Sequence, residues 1–385
     1  MVADMITLKR TPLFAAHQAL GARLVEFGGW EMPVQYSSII DEHLAVRKAA
    51  GIFDISHMGE VRFNGPGSAP FLNYLLTNDI NKLAVGEGQY TLMCNEKGGV
   101  IDDLYAYRVG SEEFLLVINA SRIEPDLAWM QQQLAKWPQQ DQVKLENLSD
   151  RYSAVAVQGP RSPDVLNATV IGPSISGTAA SKPSELKKNS VAIFPWKNGS
   201  IYVGRTGYTG EDGFEVIAPS DSIEDIWTTL LAKGHASCLQ PAGLGARDTL
   251  RTEVCYPLYG HELDEATTPL EAGVGFFVAL EKGDFIGRPV LVEQKKSGLQ
   301  KKCIAFKMSD RSAPPRPQYA IWSVGEHSEK IGTVVSGTLS PSLNIGIGMG
   351  YVPTRFASIG TPIQIEVRGR RFAASVVQKP ILRKS

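Results

Sequence analysis

Cysteine is scarce in this chain and widely dispersed: Cys94, Cys238, Cys255 and Cys303 in 385 residues, with no CxxC pair. That spacing excludes a dense disulfide framework, and reduced thiols in a cytoplasmic protein are the simplest expectation. The six histidines are equally scattered. Neither His57 nor His261 has a cysteine or histidine at ligand spacing, so no structural metal is expected. Charge of one sign is missing too: 39 basic and 40 acidic residues leave a formal net charge of -1. No global field favours nucleic acid or an anionic membrane. No apolar run of 18 residues is long enough to span a bilayer. The opening MVADMITLKR has an early acid and lacks both a long apolar core and a cleavage site, so no signal peptide is expected.

A chain of this length can bury a large core and should form two or three domains. Its most informative stretch is Cys94 to Arg108, CNEKGGVIDDLYAYR. Gly98 and Gly99 mark a turn, Asp102 and Asp103 follow side by side, and Leu104 to Tyr107 alternate as a strand. Successive strand side chains point to opposite faces, so the two acids should diverge. One is expected to face solvent or a turn and the other to face inward. An inward carboxylate needs a donor or a cationic partner.

Elsewhere the pattern alternates strands with helices. EFGGWEMPVQY places Trp30, Met32 and Tyr36 around two glycines and a proline, as a pocket lining or a core seal. His57 reads more readily as a satisfied structural residue than as a base. Val61 to Leu76, VRFNGPGSAPFLNYLL, echoes Val155 to Val170, VAVQGPRSPDVLNATV, each reading strand, Gly-Pro, helix. Either two related α+β modules or chance produces such an echo.

In YVGRTGYTGEDGFEVI, four glycines make a tight loop that carries Glu211 and Asp212 at a solvated tip. Glu215 alternates with Phe214 and Val216, and an inner-face carboxylate there would accept strong hydrogen bonds from ring or amide donors. The loop lacks the Lys-Ser/Thr of a phosphate cradle. In GLGARDTLRTE, Arg247 and Arg251 share a helix face, as salt-bridged scaffolding or an anion site, with Asp248–Arg251 an ordinary surface pair. From Lys301 onward, short strands separated by Pro and Gly turns predict an antiparallel barrel or sandwich, with a boundary near residue 290.

Several strings occur in order nearly end to end: RTPLFAAHQALGARLVEFGGWEMPVQY, FDISHMGE, NEKGGVIDDL, QGP, GYTGEDGFE, GLGARDTLR, YPLYGHELDEATTPLEAGVG, VSGTLSPSLN and MGYV. Together they resemble the aminomethyltransferase, or T-protein, family of the glycine cleavage system. The resemblance implies an α+β, three-domain cloverleaf. Two related, interleaved α+β domains would fill residues 1–290, and an antiparallel β-barrel residues 291–385. Tetrahydrofolate would lie in the central hole as co-substrate. The reaction would pass the one-carbon unit of an aminomethyl-dihydrolipoyl carrier to it, giving methylenetetrahydrofolate, ammonia and the dihydrolipoyl protein.

The implied partner is the lipoylated H-protein of glycine cleavage, a transient one, with the other components reached through it. No nucleic acid or membrane partner is implied. Position by position, Asp103 matches the catalytic aspartate and Glu215 the pterin-binding carboxylate. Met58, Tyr90, Asn119, Tyr208, Arg247 and Tyr259 match the cavity lining, and Arg383 is a weaker match in the tail. Thr252 and Cys255 depart from the family's usual small or apolar residues.

Related folds offer rivals. Folate-dependent demethylating enzymes usually carry a flavin domain, for which 385 residues leave no room. Iron-sulfur assembly relatives carry K-G-C-Y-x-G-Q, and the comparable KGDFIGR of Lys282 to Arg288 lacks the cysteine. A non-enzymatic folate-binding protein is the third.

Overall fold

The computed structural model describes residues 7–309 and 313–383. Two sheets and a barrel organise it. The first sheet has five antiparallel strands in the order Glu87–Cys94, Val100–Arg108, Glu113–Ile118, Gly59–Asn64, Lys144–Asn147. The second has seven, with Ala50–Asp54, Tyr152–Gln158 and Gly213–Pro219 as neighbours near one end. All its pairs are antiparallel except Leu239–Pro241 on Ala50–Asp54. The chain visits the second sheet at Ala50–Asp54, leaves for the first, and returns at Tyr152–Gln158. The two units are therefore interleaved in sequence.

Each sheet hides one face under helices and the other against its partner sheet. Ser68–Leu75 and Ile123–Ala135 cover the first sheet through Phe71, Leu72, Leu127 and Met130. Ser162–Thr169 and Ile223–Gly234 cover the second through Val165, Leu166, Ile226 and Trp227. Between the sheets, Tyr107, Leu115 and Val117 share a core with Phe53, Ala154, Ala156 and Ile217. Alternation along each strand makes this possible, because both faces find apolar partners.

The two echoing segments take the same form. Gly59–Asn64 leads into Ser68–Leu75, and Tyr152–Gln158 leads into Ser162–Thr169. Gly65 and Gly159 occupy equivalent turns at φ 118° and 131°. A Cβ at these glycines would lie 2.3 Å from the Gln142 carbonyl oxygen and 2.4 Å from that of Ala49, respectively. Only glycine meets both demands. Asn73 and Asn167, also equivalent, each accept a backbone N–H from the connector beyond the helix, at 3.1 Å from Ile80 and 3.1 Å from Ser184. Lys282 closes the first helix: its ammonium donates to the carbonyls of Asn73, Leu76 and Asn78 at 2.6, 2.5 and 2.7 Å.

The C-terminal unit is a closed six-stranded barrel beginning at Lys301–Met308 and ending at Arg370–Val377. It is joined to the rest by the helix Arg288–Ser297. Among the described residues, no helix is long and apolar enough to cross a membrane.

Two surface readings are corrected here. Arg251 is not half of an ordinary surface pair; it is 2% exposed. Besides Asp248, its guanidinium donates to Glu262 at 3.0 Å and to Ser336 of the barrel at 2.8 Å. Burying a guanidinium is tolerable only because four acceptors surround it, the Tyr256 carbonyl being the fourth. Nor is the Glu211–Asp212 tip simply solvated. Arg47 holds Glu211 at 2.8 Å and Arg205 grips Asp212 through two nitrogens.

Breaking the Arg251–Glu262 pair from one side leaves a buried carboxylate uncompensated. Arg251→Met is expected to lower unfolding stability by about 3–5 kcal/mol, read as a shifted urea midpoint. An unchanged midpoint would contradict the weight placed on this pair.

Candidate active site

The sheets, the helix Leu244–Glu253 and the C-terminal tail enclose a cavity of about 1610 Å³. Asp103 points into it from the middle of the Val100–Arg108 strand. Its carboxylate accepts from the Tyr90 hydroxyl at 2.9 Å and from Asn119 Nδ2 at 3.0 Å. Tyr90 sits on the neighbouring strand, opposite Tyr105, and Asn119 directly follows the strand on the other side. Both donors therefore come from the two strands flanking the acid. Burial, and next the charge of Asp102, push the Asp103 carboxyl up to about 7, against the opposing pull of these two hydrogen bonds.

Asp102 does point away from Asp103, but not to solvent. It is fully buried and accepts from Asn119 twice, from the backbone N–H at 3.0 Å and from Nδ2 at 2.8 Å. The sheet face it enters is covered by the helix Ile123–Ala135, whose residue Asp126 meets it. Helix cover, invisible in a strand's own alternation, is why Asp102 does not reach solvent.

Across the cavity, Glu215 projects from Gly213–Pro219. Thr206 Oγ1 donates to it at 2.8 Å and is itself paired with the Tyr107 hydroxyl at 2.8 Å. Burial raises the Glu215 carboxyl, with Arg247 and Thr206 working against that rise. Arg247 lies over the Tyr208 ring at 4.8 Å, and its Nη1 is shielded from solvent with no acceptor. A guanidinium nitrogen left in that condition invites an acceptor from a bound molecule.

The loop bearing these groups folds around one side chain. Gln158, fully buried, donates to the Thr206 carbonyl at 3.0 Å and accepts from Thr209 at 2.9 Å. A Cβ at Gly207 or Gly213 would sit 1.8 or 2.2 Å from the Gln158 amide. The glycines are room for a glutamine rather than for a phosphate.

Of the residues expected at the site, the cavity wall contains Met58, Tyr90, Asp103, Asn119, Tyr208, Glu215 and Arg247, and Arg383 joins it from the tail. Tyr259 stands outside the wall. It packs beside Leu92 and Phe277 and carries the Arg122 guanidinium over its ring at 4.7 Å. Among the lining residues that sequence reasoning did not place at the site, two stand close to the chemistry. Phe277 stacks on Tyr90 with ring centroids 4.5 Å apart. His57, 3% exposed, has an unpartnered Nδ1, and burial pushes its imidazole down to about 4, so it is neutral at pH 7. FDISHMGE gave the only signal for it. Arg247 and Arg251, one helical turn apart, serve different ends: Arg247 serves the cavity and Arg251 the barrel contact.

The sequence profile of the GCVT N-terminal domain matches residues 13–282, and that of the glycine cleavage T-protein C-terminal barrel domain matches residues 301–382. An aminomethyltransferase of Bacillus cytotoxicus is 44% identical over 388 residues, spanning 99% of this chain and 100% of the relative. One of Desulfitobacterium hafniense is 43% identical, spanning 97% and 98%. The crystal structure of glycine cleavage system aminomethyltransferase T from Bartonella henselae superposes with a TM-score of 0.88 at 31% identity, covering 98% of each chain.

The raised Asp103 carboxyl has a consequence for stability. Between its ordinary value of 3.8 and about 7 the folded protein keeps a proton that the unfolded chain releases. Rising pH through that window therefore favours unfolding. Asp103→Asn, which cannot titrate, should gain stability over the wild type by about 1–2 kcal/mol between pH 4 and pH 8. Paired thermal midpoints across this range test it. A difference that stays flat or shrinks with pH would contradict the assignment.

Proposed function

This chain belongs to the glycine cleavage T-protein family, and from that premise we propose how its cavity performs the family's reaction. The protein is an aminomethyltransferase of glycine cleavage, passing a one-carbon unit from a carrier protein to tetrahydrofolate. The observation that carries our reading is the pair of carboxylates on opposite walls of one enclosed cavity, Asp103 and Glu215, each with its own donors.

The residues present suit a folate. Glu215 offers an acceptor to the amino and ring N–H donors of a pterin, a charge-assisted arrangement. Arg247 Nη1 has donor capacity to spare for the polar groups of the same molecule. Tyr90, Phe277, Met58 and Tyr208 supply flat or pliable apolar surface around the acid. Tetrahydrofolate supplies the two amines between which the transferred carbon ends.

In its ionised form Asp103 places a negative charge where positive charge develops as ammonia departs from the aminomethyl carbon. That is an electrostatic role, needing neither a nucleophile nor a metal ligand. The group loses nothing by reorganising, because Tyr90 and Asn119 already hold it. With folate and the carrier's arm seated in it, the cavity would keep water from competing for the activated carbon. The carbon arrives on the lipoyl arm of the H-protein, which makes that carrier the obligatory, transient partner. Two basic turns, at Lys197 and at the barrel hairpin tip, are candidate docking points for that carrier; the Lys197 ammonium is engaged by Asp225 at 2.6 Å. The barrel hairpin tip has Arg368 and Arg370 exposed and Arg371 stacked on Trp322 at 3.5 Å.

Single-turnover transfer from aminomethylated H-protein, with saturating tetrahydrofolate, tests the role of Asp103. Asp103→Asn keeps volume and hydrogen-bonding capacity and loses charge. Its rate should fall by about 10²–10³-fold, with a smaller change in folate affinity. A rate near wild type would remove Asp103 from the chemistry.

A further inference from the structure

Behind Asp103 lies a titratable cluster that the reaction as described does not use. Asp102 and Asp126 are both fully buried. Asp126 stands in the first turn of Ile123–Ala135, with its carboxyl lying against that of Asp102. No protein donor reaches either Asp126 oxygen among the described residues. The nearest cation is Arg122, whose Nε is 3.7 Å from Asp126 Oδ1, too far for a hydrogen bond. Its Nη2 is engaged by Glu265 at 2.9 Å and its plane lies over the Tyr259 ring, while the Nε that faces Asp126 has no hydrogen-bond acceptor and offers only this longer ion pair. Among the described residues, Tyr90, Tyr259 and Asp103 are the other ionisable groups that face the pair.

Two adjoining buried carboxylates cannot both stay charged under such weak compensation. One proton between them resolves it, and its place follows from the donors. Asp102 already accepts two N–H groups from Asn119, which favour its anion. Asp126 accepts none, so it is the group that keeps the proton, and burial together with the Asp102 charge holds its carboxyl well above the ordinary range. The proton also supplies the donor that the contact otherwise lacks.

We propose that Asp126 is a positioning residue for the transfer reaction: as a neutral acid it donates to Asp102, which clamps the Asn119 amide that fixes Asp103. The relay is continuous. The Asp102 carboxylate grips both the backbone and the side chain of Asn119, and Asn119 Nδ2 in turn donates to the Asp103 carbonyl and carboxylate, each at 3.0 Å. The proposal rests on Asp103 being the group that meets the reacting centre. Its effect reaches the reaction only through that side chain.

Two variants separate proton donation from mere bulk. Asp126→Asn donates from the same place but cannot titrate, whereas Asp126→Leu keeps the volume without a donor. Difference infrared spectroscopy of the whole protein should show a carboxylic-acid carbonyl band that both variants lose. Asp126→Asn should keep the single-turnover rate within about threefold and leave the acidic limb of its pH profile in place. Asp126→Leu should cut the rate about tenfold at pH 7 with little change in KM for tetrahydrofolate. It should also move the acidic limb to higher pH, because the unshared Asp102 charge opposes ionisation of Asp103.

The proposal is overturned if the acid band is missing in the wild type, if Asp126→Asn loses as much as Asp126→Leu, or if Asp126→Leu keeps both rate and limb. Should the leucine variant not fold, the infrared band and the asparagine variant decide alone. An active Asp103→Asn would refute the catalytic reading, while the infrared band would still report the Asp126 proton.

Discussion

A carboxylate inside a walled cavity has no bulk water to hold its charge, so the protein must bring donors to it. Around Asp103 those donors come from the two adjacent strands, and this sets much else. Tyr90 and Asn119 reach the acid only because Val100–Arg108 runs between Glu87–Cys94 and Glu113–Ile118 in this register. Asn119 keeps its orientation because Asp102 holds it from behind. Asp102 in turn is held beneath a helix by those two donors and, on our proposal, by a proton on Asp126. The active-site charge is thus supported through the full thickness of the sheet, from cavity to covering helix.

The rest of the architecture encloses that charge. The second sheet brings Glu215 and Arg247 to the opposite wall, with Gln158 at the centre of the loop that shapes it. The barrel completes the enclosure through a buried polar joint, Arg251 with Glu262 and Ser336, rather than through apolar contact alone. A second joint links the helix Ile39–Lys48 to the barrel: His43 and Ser342 meet Glu253, which also holds Arg47. Such joints are directional, so they fix the angle at which the three units surround the cavity.

Much of this was legible in the sequence. The α+β cloverleaf with its terminal barrel follows from the resemblance, and the profiles and superposition bear it out. The divergence of Asp102 from Asp103 follows from strand periodicity, and so does the outward turn of Glu215 from Phe214 and Val216. What escaped reading depends on elements distant in sequence. Asp102 looked solvent-bound because nothing local announces that Ile123–Ala135 covers its face. Arg251 looked like surface because Ser336, 85 residues away, is its partner. His57 looked structural because its place on the cavity wall is set by packing, as with Phe27 at 5.7 Å. Lys282, in the stretch compared with an iron-sulfur signature, proves to be a helix cap.

The central claim is that the enclosed acid on Val100–Arg108 meets the amine that receives the carbon, with Glu215 holding the other end of the same molecule. A crystal structure with tetrahydrofolate bound measures this directly. The account requires an Asp103 carboxylate oxygen within about 3 Å of a reactive folate nitrogen, with the pterin donors on Glu215. A folate whose reactive amines lie away from Asp103, leaving that carboxylate on solvent alone, would contradict it.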